Sequence, residues 1–324
     1  MKILFSADWH IKLGQKNVPR DWQKNRYKML FDKLSNMERS CDIHIIGGDI
    51  FDALPKPDEI ELFFEAVAYA GIPTYIYDGN HEATRKGKTF LTFLKNAVFH
   101  INNNVHIIDG IEIHSFFNES QSSIDFIPYT HLKNFKPEEF KNKICCTHVR
   151  GNIPPHVIEE VDLDLFKRWD IVLAGDLHAH SNSQKNIIYP GSPLAITFHR
   201  NPVENGVIIL DTDTLDYEFK PLGLPQLIRK TITSKDEIIK TDYDHTIYEV
   251  TGNVLELSDI DSSSDLIDKK LIRRHSDAVL NLHNLSKEEE LREYFKLVVK
   301  LPNSDIDDIM RVFNDYYDSG LKVE

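Results

Sequence analysis

Five short stretches carry side chains able to bind metal ions. They are DWH with Asp8 and His10, GGD with Asp49, GNH with Asn80 and His81, TH with His148, and GDLHAH with Asp176, His178 and His180. Carboxylate, amide oxygen and imidazole together suit manganese, iron or zinc better than a soft metal. A central aspartate can bridge two ions through its two oxygens. Two ions about 3.5–4 Å apart can clamp a phosphate and activate water for in-line attack. Taken singly, each stretch also has a plain structural reading. Asp8 and Asp49 could cap the next element, Asn80 could be a turn residue, and His148 could sit satisfied in a core. Those readings leave the joint pattern unexplained, because every stretch follows directly on a predicted strand. Within the last stretch, His178 and His180 share one side of an extended segment, so either can be the ligand.

The elements that must position these residues follow from hydrophobic spacing. Lys2–Ser6 reads as a buried strand, and Tyr27, Leu30, Phe31, Leu34 and Met37 then recur at helical spacing. Asp42–Gly48 is the next strand. A helix with Ile60, Phe63, Phe64 and Val67 on one face stops at Gly71, and Thr74–Tyr77 is a third strand. Beyond it the pattern shifts toward strands: Val105–Asp109, Ile111–Phe116, Lys143–Thr147, Asp170–Gly175, Ile187–Tyr189, Gly206–Leu210 and Leu215–Phe219. Asp109–Gly110 predicts a hairpin turn between two of them. The expected class is α/β, a layered core with substantial antiparallel sheet. In such a fold, loops that follow strands converge on one sheet edge, which would gather all five stretches.

Pro221–Pro225 alternates proline and glycine and is the best boundary. It divides the chain into expected domains 1–220, 226–284 and 285–324. Thr246–Leu257 looks like strand material, and Asp259–Asp265 is a polar loop. Ser286 with Glu289 forms a capping box, followed by an apolar stripe of Leu291, Tyr294, Phe295 and Val298. A second helix begins near Ser304, with Ile306, Ile309, Met310 and Phe313 as its stripe and Gly320 as a stop. This helical segment either packs on its own domain or docks onto a partner chain. From residue 301 to 324 there are six acidic and two basic residues, which excludes a DNA-binding tail.

The 324 residues carry a formal net charge of −13, which argues against coating nucleic acid by electrostatics alone. An enzyme that meets DNA through bound metal ions, a local patch or a basic partner stays open. No apolar run is long enough for a membrane span, and the N-terminus turns polar too soon for a signal peptide. Cys145 and Cys146 would point to opposite faces of a strand, so with the lone Cys41 they suit neither a zinc site nor an ordinary disulfide. Reduced thiols fit a cytosolic compartment.

The stretches FSADWHIKLG, GGDIFDALPKP, YDGNHEAT, CTHVRG and IIYPGSP resemble the calcineurin-like metallophosphoesterase superfamily. Within it they are most similar to the SbcD-type DNA repair nucleases, including phage recombination nucleases. The resemblance is strong over residues 1 to about 201 and thins beyond Pro221. It implies a layered β-sandwich flanked by helices, a smaller α/β capping domain that contacts DNA, and a C-terminal helical segment. It implies two divalent ions, manganese first, with magnesium, iron or zinc as alternatives. Asp8, His10, Asp49 and His178 would hold one ion. Asp49, Asn80, His148 and Asp176 would hold the other, with Asp49 as the bridge. The family register selects His178 over His180. His81 would contact the phosphate or protonate the leaving 3′ oxygen.

The implied activity is 3′→5′ exonuclease on duplex DNA and endonuclease on single strands, in repair and recombination. The implied partners are DNA, an SbcC-like SMC-family coiled-coil ATPase and a second copy of the chain, with no membrane. The compartment would be the cytoplasm, that of a host for a phage protein. Two residues depart from the family pattern: Asp176 and Asp52 stand where histidine is usual, the latter at a position that helps place the DNA end. By formal counting, a third carboxylate leaves two divalent ions and their ligands with one net positive charge instead of two. That should weaken phosphate attraction and strengthen affinity for a hard ion. Arg150, Arg85 and Lys86 follow the metal-bearing loops and either contact DNA phosphates or are plain surface charge. Two other functions compete. A protein phosphatase or small-molecule phosphodiesterase shares GNHE, but would resemble GDxVDRG where this chain has GDIFDAL. A catalytically weak, architectural DNA-end-binding subunit would explain Asp176 and Asp52.

Overall fold

The computed structural model describes residues 1–83, 89–116, 122–253, 257–258, 260, 264–272 and 285–320, the last five as backbone. The chain opens with three strand–helix repeats and a fourth strand: β1 (Lys2–Ser6), α1 (Arg20–Glu38), β2 (Ile43–Gly47), α2 (Pro57–Tyr69), β3 (Thr74–Tyr77), α3 (Phe90–Ile101) and β4 (Val105–Ile108). Each helix carries the chain back to the starting edge, so β1 to β4 pair in parallel. Strands β5 (Glu112–Phe116), β6 (Ser122–Ile127), β7 (Ile144–His148), β8 (Ile171–Gly175) and β9 (Ile187–Ile188) form a second sheet in that order. β10 (Gly206–Asp211) and β11 (Tyr217–Pro221) then rejoin the first sheet, with β10 antiparallel to β1. A separate three-stranded sheet holds β12 (Leu227–Ile232), β13 (His245–Gly252) and β14 (Ile267–Ile272).

The alternation along each strand sorts side chains into layers. Ile3, Phe5, Ile43 and Ile45 meet Phe126, Cys146 and Leu173 between the two large sheets. Leu4, Ile46 and Ile76 face the other way, under Leu30, Leu62 and Leu94 of the three helices. The outer face of the second sheet, with Cys145 and Val172, is covered by Phe135, Phe166 and Trp169. Burial of each such large apolar side chain contributes about 1.5–3 kcal/mol. Cys145 and Cys146 therefore enter different cores, both as buried free thiols. The fold is the expected layered α/β sandwich, with a smaller sheet and C-terminal helices.

Two local expectations need correcting. Asp109–Gly110 does not close a hairpin: β4 pairs with β3 in one sheet and β5 with β6 in the other. The turn hands the chain from sheet to sheet, because β4 is largely buried while β5 alternates as an edge strand. Helix α3 is not among the sequence expectations, although Leu91, Leu94 and Val98 lie buried along one face. Thr89 Oγ1 caps it, accepting from Thr92 N at 3.1 Å.

The chain falls into two compact units, Met1–Val250 with Ile260–Lys270, and Thr251–Asp259 with Leu271–Glu324. The second contains α4 (Lys287–Tyr294), a π turn at Phe295–Val299 and α5 (Asn303–Gly320). Ser286 Oγ accepts from Glu289 N at 3.3 Å and Ser286 N donates to Glu289 Oε2 at 2.7 Å, which is the expected capping box. Arg292 reaches Asp307 at 2.7 Å to join the two helices.

Candidate metal centre

The parallel register levels the strand ends, with Ser6 beside Ile46 and Gly47 beside Tyr77. Asp8 and His10 follow β1, Asp49 follows β2, and Asn80 and His81 follow β3. From the second sheet, His148 ends β7, and Asp176 and His178 follow β8. Both sheets thus deliver ligands to one edge. Asp8, His10, Asp49 and Asp176 have φ of 56°, 45°, 51° and 102°, half of the eight positive-φ non-glycine residues among those described. Such conformations cost about 1–3 kcal/mol each and cluster where surrounding contacts enforce them. Here Asp8 N donates to Gly48 O at 3.0 Å and His10 N to Asp49 O at 2.9 Å. Gly79 is required, since a Cβ there would collide with Asp49 Oδ1.

Asp49 lies at the centre. Its Oδ2 is 3.7 Å from His10 Nε2 and its Oδ1 is 3.5 Å from His148 Nε2. His10 and His178 bring their Nε2 atoms to 3.1 Å. His148 Nε2 is also 3.0 Å from Asn80 Oδ1 and 3.9 Å from Asp176 Oδ1. Three overlapping groups have ligand atoms within 4.8 Å of one another: Asp8, His10 and His178; His10, Asp49 and His81; Asp8, Asp49 and His148. His148 Nδ1 donates to Gly47 O at 2.9 Å, which leaves Nε2 to face Asp49 and a cation. His180 takes no part. Its Nδ1 lies 2.7 Å from Tyr189 O and its ring stacks on Phe219 at 4.6 Å.

The donor set fits divalent cations. Asp8 Oδ2 is buried with no hydrogen-bond partner. Asn80 presents its oxygen to acceptors; turned over, its nitrogen would reach Asp49 Oδ2 at 3.0 Å, so the oxygen-in orientation is one a cation favours. Burial and the nearby Asp49 push the Asp8 carboxyl well above its ordinary range, and burial raises Asp176. Burial opposes ionisation of Asp49 too, but His148 and His10 outweigh it and hold Asp49 low. Burial pulls the His148 imidazole down, yet Asp49, Asp8 and Asp176 lift it well above its usual value, so positive charge is favoured at that spot. Burial and His10 press His178 down to about 4, leaving a neutral imidazole ready to ligate. Carboxylates crowded among imidazoles match the chemistry of a two-ion phosphoesterase site.

Around this centre stand residues whose work the sequence did not disclose. Glu82 accepts from Asp49 N at 2.9 Å and Gly79 N at 2.8 Å through Oε2, and from Phe51 N at 2.9 Å through Oε1. It ties the loops after β2 and β3 together; burial, then Asp49, raise its carboxyl to about 8. Its only sequence signal was its place in GNHE. Asp52 stands behind His10, with Oδ1 3.5 Å from His10 Nδ1 and 3.1 Å from Lys12 Nζ; His10, then Lys12, hold its carboxyl at about 2. The Asp52 carbonyl accepts from His81 Nδ1 at 2.5 Å, which turns His81 Nε2 toward Asp49 Oδ2, 3.9 Å away. Arg150 donates from Nε to Asp176 Oδ2 at 3.3 Å. Arg85 and Lys86 lie outside the described residues.

The calcineurin-like phosphoesterase family model matches residues 1–203. The Escherichia phage T5 protein named "Probable exonuclease subunit 1" is 44% identical over 322 residues, covering 96% of this chain and 97% of that one. A Staphylococcus epidermidis relative, named as one of the two subunits of the nuclease SbcCD, is 24% identical over 292 residues, covering 77% of this chain and 75% of its own. No helix among the described residues is long and apolar enough to cross a membrane.

Proposed function

The chain belongs to the calcineurin-like phosphoesterase family, and from that premise we propose that it is a metal-dependent DNA nuclease of repair and recombination. On duplex DNA it acts as a 3′→5′ exonuclease, and on single strands as an endonuclease. The observation that carries this reading is the convergence of ligands from both sheets on one shared carboxylate, Asp49. The likeness to an exonuclease subunit along nearly the whole chain turns it toward DNA.

Asp8, His10, Asp49 and His178 would hold one ion and Asp49, Asn80, His148 and Asp176 the other. Manganese comes first, with magnesium, iron or zinc as alternatives. When bound, the two ions would supply an activated water and neutralise phosphate charge. His81 fixes its Nδ1 proton on the Asp52 carbonyl and keeps Nε2 free for the leaving oxygen. Its side chain is 36% exposed, as contact with a substrate requires.

Residues 1–220 form the nuclease domain, 226–284 a capping domain that contacts DNA, and 285–324 a docking segment for an SbcC-like coiled-coil ATPase. A second copy completes the assembly. The outer face of α3 supports this, with Phe93, Phe99 and Ile101 exposed. The setting is the cytoplasm, that of a host for a phage member.

The test is hydrolysis by the purified chain with manganese, alone and with the ATPase. End-labelled linear duplex, single-stranded circles, a phosphopeptide and a cyclic nucleotide are offered in parallel. Release of nucleotides from 3′ ends is expected. Preference for the phosphopeptide or cyclic nucleotide would replace the reading with a phosphatase or small-molecule phosphodiesterase. Metal bound without turnover of any substrate would leave an architectural subunit.

A further inference from the structure

Asp176 changes the charge of the centre, and the structure shows what stands beside it. The Arg150 guanidinium donates Nε to Asp176 Oδ2 at 3.3 Å and Nη2 to Asp176 Oδ1 at 3.5 Å. Asp176 Oδ1 also lies 3.9 Å from His148 Nε2. One carboxylate therefore faces a ligand of the metal cluster on one side and an arginine on the other. A histidine at this position could not do both. Once its ring nitrogen ligates a cation, it has no acceptor left for a guanidinium.

Arg150 is placed rather than loose. It follows His148 by two residues, and its backbone N donates to Glu160 Oε1 at 3.0 Å. Yet its side chain stays 40% exposed. It borders a cleft of about 340 Å³ together with Asp49, Asn80, His81, Asp176 and His178. Among the described residues that line this cleft, Arg150 is the one lysine or arginine. A guanidinium has five N–H donors, of which Asp176 takes two. The others remain for a phosphate, which a planar guanidinium can grip through two parallel bonds.

We propose that Arg150 is a catalytic residue that binds the scissile phosphate, held over the cleft by Asp176, and that it returns the positive charge the third carboxylate removes. The inference deepens the phosphodiesterase reading and rests on it for the identity of the reaction. Arg150 moves no proton. It donates hydrogen bonds to the non-bridging oxygens, and these strengthen as negative charge gathers on them in the transition state. Aspartate at position 176 and arginine at position 150 thus form a matched pair.

The test compares Arg150→Ala and Arg150→Lys with the unaltered chain in three measurements. These are manganese affinity by titration calorimetry, inorganic phosphate binding to the manganese-loaded chain, and cleavage of linear duplex DNA. Arg150→Ala should keep or improve manganese affinity, weaken phosphate about 10-fold or more and slow cleavage about 10²-fold. Arg150→Lys should recover part of both losses. Added guanidinium chloride should speed Arg150→Ala while leaving the unaltered chain unchanged, which a merely structural role would not produce. Wild-type phosphate affinity in Arg150→Ala would overturn the proposal. So would a loss that tracks lost manganese or is not rescued by guanidinium. If the unaltered chain binds phosphate through Arg150 but cleaves no DNA, the nuclease reading fails and this one stands. If it cleaves DNA and Arg150→Ala does so equally well, the reverse holds.

Discussion

Trp9, Ser6, His44 and Glu38 form one buried polar chain, and Asp8, His10, Asp49 and His148 form another beside it. In the first, Trp9 Nε1 donates to Ser6 Oγ at 3.1 Å, and Ser6 Oγ donates to His44 Nε2 at 2.9 Å. His44 Nδ1 donates to Glu38 Oε1 at 2.9 Å, while Glu38 Oε2 accepts from Gly71 N at 2.9 Å. The order serine, histidine, carboxylate has the connectivity of a nucleophile with its base and orienting acid. Ser6 is fully buried, however, so no substrate reaches it. In the second cluster Asp8 Oδ2 has no partner, and Asp8 and Asp49 crowd against the same imidazoles. Both clusters are polar and both are buried. The structural one closes on itself, and the functional one leaves valences that only a bound cation satisfies.

The largest expected effect breaks the open cluster. Asp49→Ala should lower phosphodiester hydrolysis about 10³-fold, as measured by initial rates on duplex DNA with saturating manganese. A rate near wild type would remove Asp49 from the centre. Breaking the closed cluster should act on stability instead. His44→Ala should cost about 3 kcal/mol in urea unfolding, because Glu38 is left buried without its partner. Manganese affinity should stay the same, and an equal loss of metal would mean that the two clusters are one.

Manganese at 100 times its Kd should stabilise the chain by about 2.7 kcal/mol. A melting temperature indifferent to manganese and to chelator would contradict the open valences. Asp8→Asn should raise the stability of the chelator-treated chain by about 1 kcal/mol, since it removes a buried negative charge beside Asp49. A fall in its urea midpoint would mean that Asp8 is satisfied by the protein after all.

A third cluster gives the smallest effect and sharpens the contrast. Glu249 is buried on β13, and Lys269 at 2.8 Å and Arg200 at 2.7 Å hold its carboxyl down at about 2. Its folded value lies below the ordinary 4.5. Its contribution is therefore complete above pH 4.5 and is lost as the pH falls toward 2. Unfolding midpoints of the unaltered chain and Glu249→Gln should differ near neutrality and converge on acidification. A gap that widens at low pH would reverse the sign and refute the pairing.

Much of this molecule was legible in its sequence. Alternating and buried runs marked most strands of both large sheets, because period-two burial is a local property. The placement of Asp8, Asp49, Asn80 and Asp176 just after strands was legible for the same reason. Helix α3 escaped although its face is regular, since Phe93, Phe99 and Ile101 on its exposed side blur the period. The Asp109–Gly110 turn misled because a reversal signal carries no information about which sheet receives the next strand. Asp52 read as a residue for placing DNA, but the fold sets its side chain against His10 and its carbonyl against His81.

By itself, then, the sequence determined the strands and helices, the residue types of the centre and their position at strand ends. Local steric and hydrophobic rules reach that far. The tertiary structure alone decided which of those residues meet. His148 lies on the second sheet, yet its Nδ1 bonds Gly47 of the first sheet, 101 positions away, while its Nε2 faces Asp49. It also decided that His178 enters the cluster while His180 turns onto Phe219, and that Arg150 leans on Asp176. These choices come from the stacking of two sheets. Stacking is set by burial of faces drawn from distant segments, and no window along the chain contains both halves of such a contact.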